Sequence, residues 1–334
     1  MLAKFSRKIL SLLQLTRMAL VFTAIADSLT TLLLLRARGD LARVDAWLAL
    51  LVAGVSVGLY GFGMALNDII DLRRDRLIAA HRPLPSGRVR PTTASVICGG
   101  LAALAVACGL AYGFALGGRW DCVALVLWTT GLIYFYDLAG KYLVWPGLLT
   151  LGAVRFFHAV IPAGFSPPVA WHPLVLLNHV AVLSTIAYFL EEKRPALTRR
   201  DLLAVAGGLL TVDVLFPALV ATARIARGVP LTEALSLRPG LLLPLLAAAG
   251  YAAVAWAIVR RAESRRAAGQ QMMLYGLLWL IVYDAAFVAA YVSWTAAGGV
   301  LLLLPIAYLS VQVMRWWTQL VALSQRPPFK RAHG

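Results

Sequence analysis

Charge is what this chain has least of. Only 14% of its 334 residues are Asp, Glu, Lys or Arg, where a soluble domain carries about 25%. Such a chain cannot clothe a soluble fold, whose outer face must be polar, and it is no disordered polyelectrolyte. Cysteine is nearly absent. Cys98, Cys108 and Cys122 sit in or beside apolar runs, with neither an even framework nor ligand spacing, which excludes a disulfide scaffold and reads them as small core residues. His/Cys spacing for zinc is missing too. Acidic residues are scarce, 15 against 31 basic ones, for a net charge of +16. In a soluble protein that excess would suggest nucleic acid. Here the basic residues lie in short gaps between apolar runs, so no nucleic-acid partner is expected. No small-residue cleavage site follows Lys4, Arg7 and Lys8, and Arg17 interrupts the apolar stretch behind them, so no cleavable signal peptide is read.

What the chain does have is apolar length: 61% of it is hydrophobic, against about 45–50% in soluble domains. A membrane span needs about 20 apolar residues. That ruler gives ten helices, roughly 15–35, 46–66, 92–116, 120–138, 143–163, 172–190, 202–223, 240–259, 271–293 and 298–320. Backbone in lipid must bond within helices or closed barrels, and these runs are too long and too uniform for barrel strands. The expectation is an all-α, polytopic integral membrane bundle. The gaps alternate in charge. One set carries most of the basic residues; the other carries only Arg36, Arg38, Arg43, Arg119, Arg224, Arg227 and Arg238. The positive-inside rule then puts the N-terminus in the cytoplasm of a bacterial-type inner membrane. No repeat or long linker divides the chain. It reads as a basic N-terminal segment (1–14), one membrane domain (15–322) and a basic tail (323–334).

One segment breaks the apolar pattern. The second helix ends in Asn67-Asp68-Ile69-Ile70-Asp71-Leu72-Arg73-Arg74-Asp75, followed by His81-Arg82-Pro83-Leu84-Pro85-Ser86-Gly87-Arg88. On a helix a step of four residues advances about 400°, so Asn67, Asp71 and Asp75 share a face, with Asp68 at its edge. Hard oxygen ligands of this kind suit Mg²⁺, which keeps waters and bridges to phosphate. The neighbouring arginines suit the remaining phosphate oxygens. An Asp-rich face beside an Arg-rich loop is the pattern of a metal-bridged diphosphate site.

Asn-Asp-x-x-Asp-x-x-x-Asp followed by Arg-Pro-Leu-x-x-Gly, after a second transmembrane helix, resembles the first Asp-rich motif of the UbiA prenyltransferase superfamily. Tyr136-Asp137-Leu138-Ala139-Gly140-Lys141 resembles the family's Tyr/Lys element facing the same pocket. Together with Arg155 and Tyr283-Asp284-Ala285-Ala286, the chain is most similar to the EboC-like branch. The resemblance runs over about 10–320. It implies nine UbiA-type helices around a central cavity open sideways to lipid, plus one added C-terminal helix. It implies Mg²⁺ held by Asn67, Asp68, Asp71 and Asp75. Asp68, Asp71, Asp75, Lys141 and Tyr136 would then be catalytic, with Asn67, Arg73, Arg74, Arg82 and Arg155 binding a prenyl diphosphate. A lipophilic or aromatic acceptor would arrive from the membrane lipid.

One departure stands out. The family's second Asp-rich motif lies after the sixth helix, and here that loop carries Glu191 and Glu192 side by side. Adjacent residues point about 100° apart on a helix, so at most one aligns with the pocket as a substrate or second-metal ligand. Two readings therefore stay open. One is a Mg²⁺-dependent transfer of an isoprenoid group from an allylic diphosphate. The other is a non-catalytic relative that binds or transports a polyprenyl-linked metabolite. Inside the membrane, Arg155 must face the bundle or a wet cavity, with Asp27, Asp213 or Asp284 as partner. His158, Asn178 and His179 read as hydrogen-bonded packing residues. Tyr60, Phe62, Trp128, Tyr134 and Tyr136 are expected near the pocket, where aromatic faces attract a carbocation.

Overall fold

The computed structural model describes residues 2–324, with side chains for 9–320. In chain order its helices are α1 (Leu2–Leu15), α2 (Val21–Arg38), α3 (Ala46–Ile70), α4 (Leu72–Ile78), α5 (Pro91–Ala115), α6 (Trp120–Leu138) and α7 (Val144–Val160). They continue as α8 (Trp171–Leu190), α9 (Arg199–Ile225), α10 (Leu231–Ala234), α11 (Leu242–Arg261), α12 (Arg265–Tyr291), α13 (Trp294–Leu301) and α14 (Leu303–Ser324). Among the described residues there is no strand, and ten helical segments are long and apolar enough to cross a membrane. The basic tail beyond Ser324 lies outside the described residues.

Local sequence sets the helix ends. Asp45 caps α3 by accepting from the Leu48 amide at 2.8 Å. Thr198 and Asp201 form a reciprocal capping box on α9, and Ser264 caps α12, each satisfying amides that the helix itself leaves free. Two expected spans are reshaped. The first starts at Met18 rather than 15, because Arg17 takes a left-handed backbone (φ 46°, ψ 36°) that separates α1 from the first span. The tenth is bent at Leu302, which divides it into α13 and α14.

Small residues bring helices together, as in membranes generally, where lipid gives apolar side chains no incentive to associate. A methyl group at Gly58 would lie 2.7 Å from both the Ala105 nitrogen and the Leu101 carbonyl, and one at Gly54 would strike the Cys108 sulfur at 2.5 Å. So α3 rests on the backbone of α5, and Cys108 is a packing residue. The largest core surrounds this contact, with Val55, Leu59, Phe62 and Leu66 of α3 meeting Leu125, Ile133, Leu148 and Phe156 of α6 and α7. A second core joins α2 and α12 to α13 and α14. Between these packed pairs, α2, α3, α6, α7, α8 and α12 leave a central cavity.

Candidate functional site

The Asp-rich segment sits where α3 meets α4. Helical hydrogen bonding runs through the junction, from the Asp71 amide to Asn67 (2.9 Å) and from the Asp75 amide to Asp71 (2.8 Å). The helical phase therefore carries across it, yet the side chains sort differently from the four-residue expectation. Asp68 and Asp75 form one group: Arg82 donates to Asp75 at 2.5 Å and lies 3.8 Å from Asp68, which also meets Arg17 at 3.4 Å. Asn67 and Asp71 form the other. Lys141 is 2.8 Å from Asp71 and 3.8 Å from Asp137, and Asn67 donates its amide to Asp137 at 2.7 Å. The reason is phase. Seven residues advance about 700°, only ~20° short of two full turns, so Asp68 aligns with Asp75 better than Asp71 does.

All four carboxylates, Asp68, Asp71, Asp75 and Asp137, are buried. Each is matched by cations: Arg17, Arg74, Arg82 and Lys141, with Arg74 reaching Asp71 at 2.7 Å. Burial of such charges is tolerable only when they are paired. Arg88 orders the following loop, donating to the Ser86 hydroxyl, the Gln14 side chain and the His81 carbonyl. The turn Gly140–Tyr142 that presents Lys141 lies against Gly147, where a methyl group would collide with the Gly140 carbonyl.

Sequence reasoning passed over two members of this site. Asp137 carried a signal, its i,i+4 spacing to Lys141. Arg17 carried a weaker one, a charge interrupting an apolar run beside the motif's own end of the bundle. Arg73 is exposed and makes no ion pair among the described residues. Glu191 is 3.2 Å from Lys193 and Glu192 is 3.3 Å from Arg265; neither meets the Asp-rich group through an ion pair or hydrogen bond among the described residues.

The donor chemistry fits Mg²⁺. Five oxygen-bearing side chains, Asn67, Asp68, Asp71, Asp75 and Asp137, gather here, with no imidazole or thiol among them. Among the described residues no three potential ligands converge on one point, because each carboxylate holds a Lys or Arg instead.

Behind the ionic mouth lies a cavity of about 180 Å³. Asn67, Tyr136 and Asp137 line its entrance; Leu59, Met64, Ile133, Leu151 and Val154 are among its walls; Arg155 and His158 lie deeper. Of the expected aromatic residues, Tyr60 and Tyr136 line it. Phe62 is instead buried in the α3 core, and Trp128 and Tyr134 are exposed on the outer surface. Helix rotation decides this, and composition does not report rotation.

Of Arg155's three expected partners, Asp27 is the one it meets: Nε to Oδ2 at 2.6 Å and Nη2 to Oδ1 at 3.2 Å. Asp213 accepts from Asn178 at 2.7 Å, and Asp284 pairs with His172 at 2.7 Å. His158 joins the Asp27 group, with Nδ1 3.5 Å from the carboxylate and Nε2 3.1 Å from the Ser56 hydroxyl. His179 meets the Gly276 carbonyl at 2.9 Å, a packing role.

Ten helical segments of membrane-spanning length among the described residues, six of them enclosing a cavity with a dense ionic mouth, define an integral membrane protein. The model of the UbiA prenyltransferase family matches residues 19–278; the chain belongs to that family. Solved structures agree on the fold. A digeranylgeranylglyceryl phosphate synthase is 16% identical, covers 85% of this chain and 99% of its own, and superposes with a TM-score of 0.54. A UbiA homologue from Aeropyrum pernix K1 is 22% identical, covers 81% and 97%, and gives 0.51. Among curated proteins none matches.

Proposed function

We propose that this chain is a Mg²⁺-dependent membrane prenyltransferase that moves an isoprenoid group from an allylic prenyl diphosphate to a lipophilic or aromatic acceptor. One observation carries the reading: four buried carboxylates, each matched to a Lys or Arg, stand at the mouth of an apolar cavity. A diphosphate brings about three negative charges, which carboxylates alone would repel. Asn67, Asp68, Asp71 and Asp75 would hold Mg²⁺. When bound, the metal neutralises the diphosphate and the charge that grows on the leaving pyrophosphate.

The chain's own residues do the rest. Arg82, Lys141, Arg74 and Arg17 turn their donors from carboxylate to phosphate oxygens, with Arg73 within the same segment. They act on charge that increases as the allylic carbon–oxygen bond breaks. The apolar walls exclude water, which would otherwise capture the cation, while Tyr60 and Tyr136 offer it aromatic faces. The acceptor attacks the same carbon and releases a proton. The motif faces the cytoplasm in this reading, where water-soluble pyrophosphate leaves.

The reading is tested by incubating the purified protein with Mg²⁺, radiolabelled prenyl diphosphates of several lengths, and a lipid or aromatic acceptor extract. A labelled product that needs Mg²⁺ supports a transferase. The adjacent Glu191 and Glu192, held by Lys193 and Arg265, favour one alternative, a carrier of a polyprenyl-linked metabolite. That alternative predicts Mg²⁺-dependent binding of the same diphosphates without product or pyrophosphate.

A further inference from the structure

At the end of the bundle opposite the Asp-rich mouth lies a second pocket, of about 250 Å³, between the last turns of α2, α9 and α12 and the segment around α10. Its wall holds three arginines: Arg38, Arg224 and Arg238. Arg224 is only 6% exposed. Its Nη1 donates to the Ala234 carbonyl (2.8 Å) and the Ser236 hydroxyl (2.9 Å). Its Nη2 donates to the carbonyls of Pro167 (2.5 Å) and Pro168 (2.8 Å), and its buried Nε has no partner among the described residues. Carbonyls orient this guanidinium but give it no counter-charge, and among the described residues no carboxylate lies within ion-pair distance of it. A buried cation is costly until an anion or an equivalent field compensates it. The C-terminal dipoles of α2 and α9 supply part of that field, each the equivalent of about half a charge and so less than a full counter-ion. Arg238 lies over the Tyr291 ring, 5.6 Å from its centre, and Arg38 meets Asp40 at 3.3 Å. Glu233 also lines the pocket; it is exposed and pairs with none of the three.

We propose that this pocket binds the phosphate of a membrane lipid. Guanidinium forks match phosphate geometry, and Leu34, Val169 and Leu237 give the same pocket an apolar wall at the level where the spanning helices end. A free phosphate ion shares the head-group chemistry but has nothing to place on that wall.

The test uses the intact protein in detergent and follows its thermal transition with phosphatidic acid, with diacylglycerol, which differs only by the phosphate, and with inorganic phosphate. Phosphatidic acid is expected to raise Tm and diacylglycerol to leave it unchanged. The double variant Arg38→Gln/Arg238→Gln should bind phosphatidic acid at least tenfold more weakly. Arg224 is left intact because its four hydrogen bonds hold two loops together. An equal rise with millimolar inorganic phosphate, lost in the same variant, would keep the phosphate site and make the soluble ion its source. No shift with either phosphate, or the same shift in the double variant, overturns the proposal. A photoreactive phosphatidic acid provides a second measurement on the unaltered chain: cross-links to residues 224–241 support the site, and cross-links confined elsewhere refute it.

Discussion

Replacing Arg155 by Met isolates an ion pair buried inside the bundle. The side chains of Arg155 and Asp27 are 11% and 0% exposed, and they meet through two contacts, at 2.6 and 3.2 Å. Met keeps most of the aliphatic stem, so the change removes charge more than volume. Stranding one member of a buried pair costs about 3–5 kcal/mol. Arg155→Met should therefore lose about 3–5 kcal/mol. Asp27→Asn should be similarly costly, because it strands the guanidinium. The double variant should recover to within about 1 kcal/mol of the parent, since a buried pair is often no better than neutral packing. The assay is equilibrium unfolding in mixed micelles, read by tryptophan fluorescence. A loss below about 1 kcal/mol for Arg155→Met, or single-variant losses that simply add to within ~0.5 kcal/mol, would mean that the two charges do not depend on each other.

Three further outcomes are expected. Arg82→Gln removes the group that bridges Asp68 and Asp75 and should lower diphosphate turnover at least tenfold, about 1.4 kcal/mol; titrating diphosphate against the variant checks it. Gly147→Ala pushes on the Gly140 carbonyl and displaces Lys141, so turnover should fall about tenfold while the far-ultraviolet spectrum of the folded protein is unchanged. Gly58→Ala forces α3 off the backbone of α5 and should cost about 1–3 kcal/mol through overpacking, seen as a lowered Tm in detergent.

The spans were legible because lipid forces long apolar helices, and the Asp-rich segment because it interrupts them. Other features depend on how helices turn against one another. Trp128 and Phe62 lie on helices near the cavity, yet α6 turns Trp128 outward and α3 turns Phe62 into the core. Arg155 had three carboxylates at plausible depth, and only packing of α2 against α7 selects Asp27. The Arg17–Asp68 contact needs a left-handed residue that no propensity would assign to arginine. The grouping of Asp68 with Asp75, by contrast, was available from helical arithmetic; the four-residue repeat drew attention away from the seven-residue one.

If the α3–α4 junction works on a diphosphate, pyrophosphate release reports it, using purified protein with Mg²⁺, a prenyl diphosphate and the acceptor extract, compared with Asp71→Asn. That variant keeps the shape of the side chain but weakens the group that meets both Lys141 and Arg74. Release by the parent that vanishes with chelator and falls by at least 100-fold in Asp71→Asn is the predicted result. Equal release by the variant, or release indifferent to Mg²⁺, would mean that this junction is not the diphosphate site.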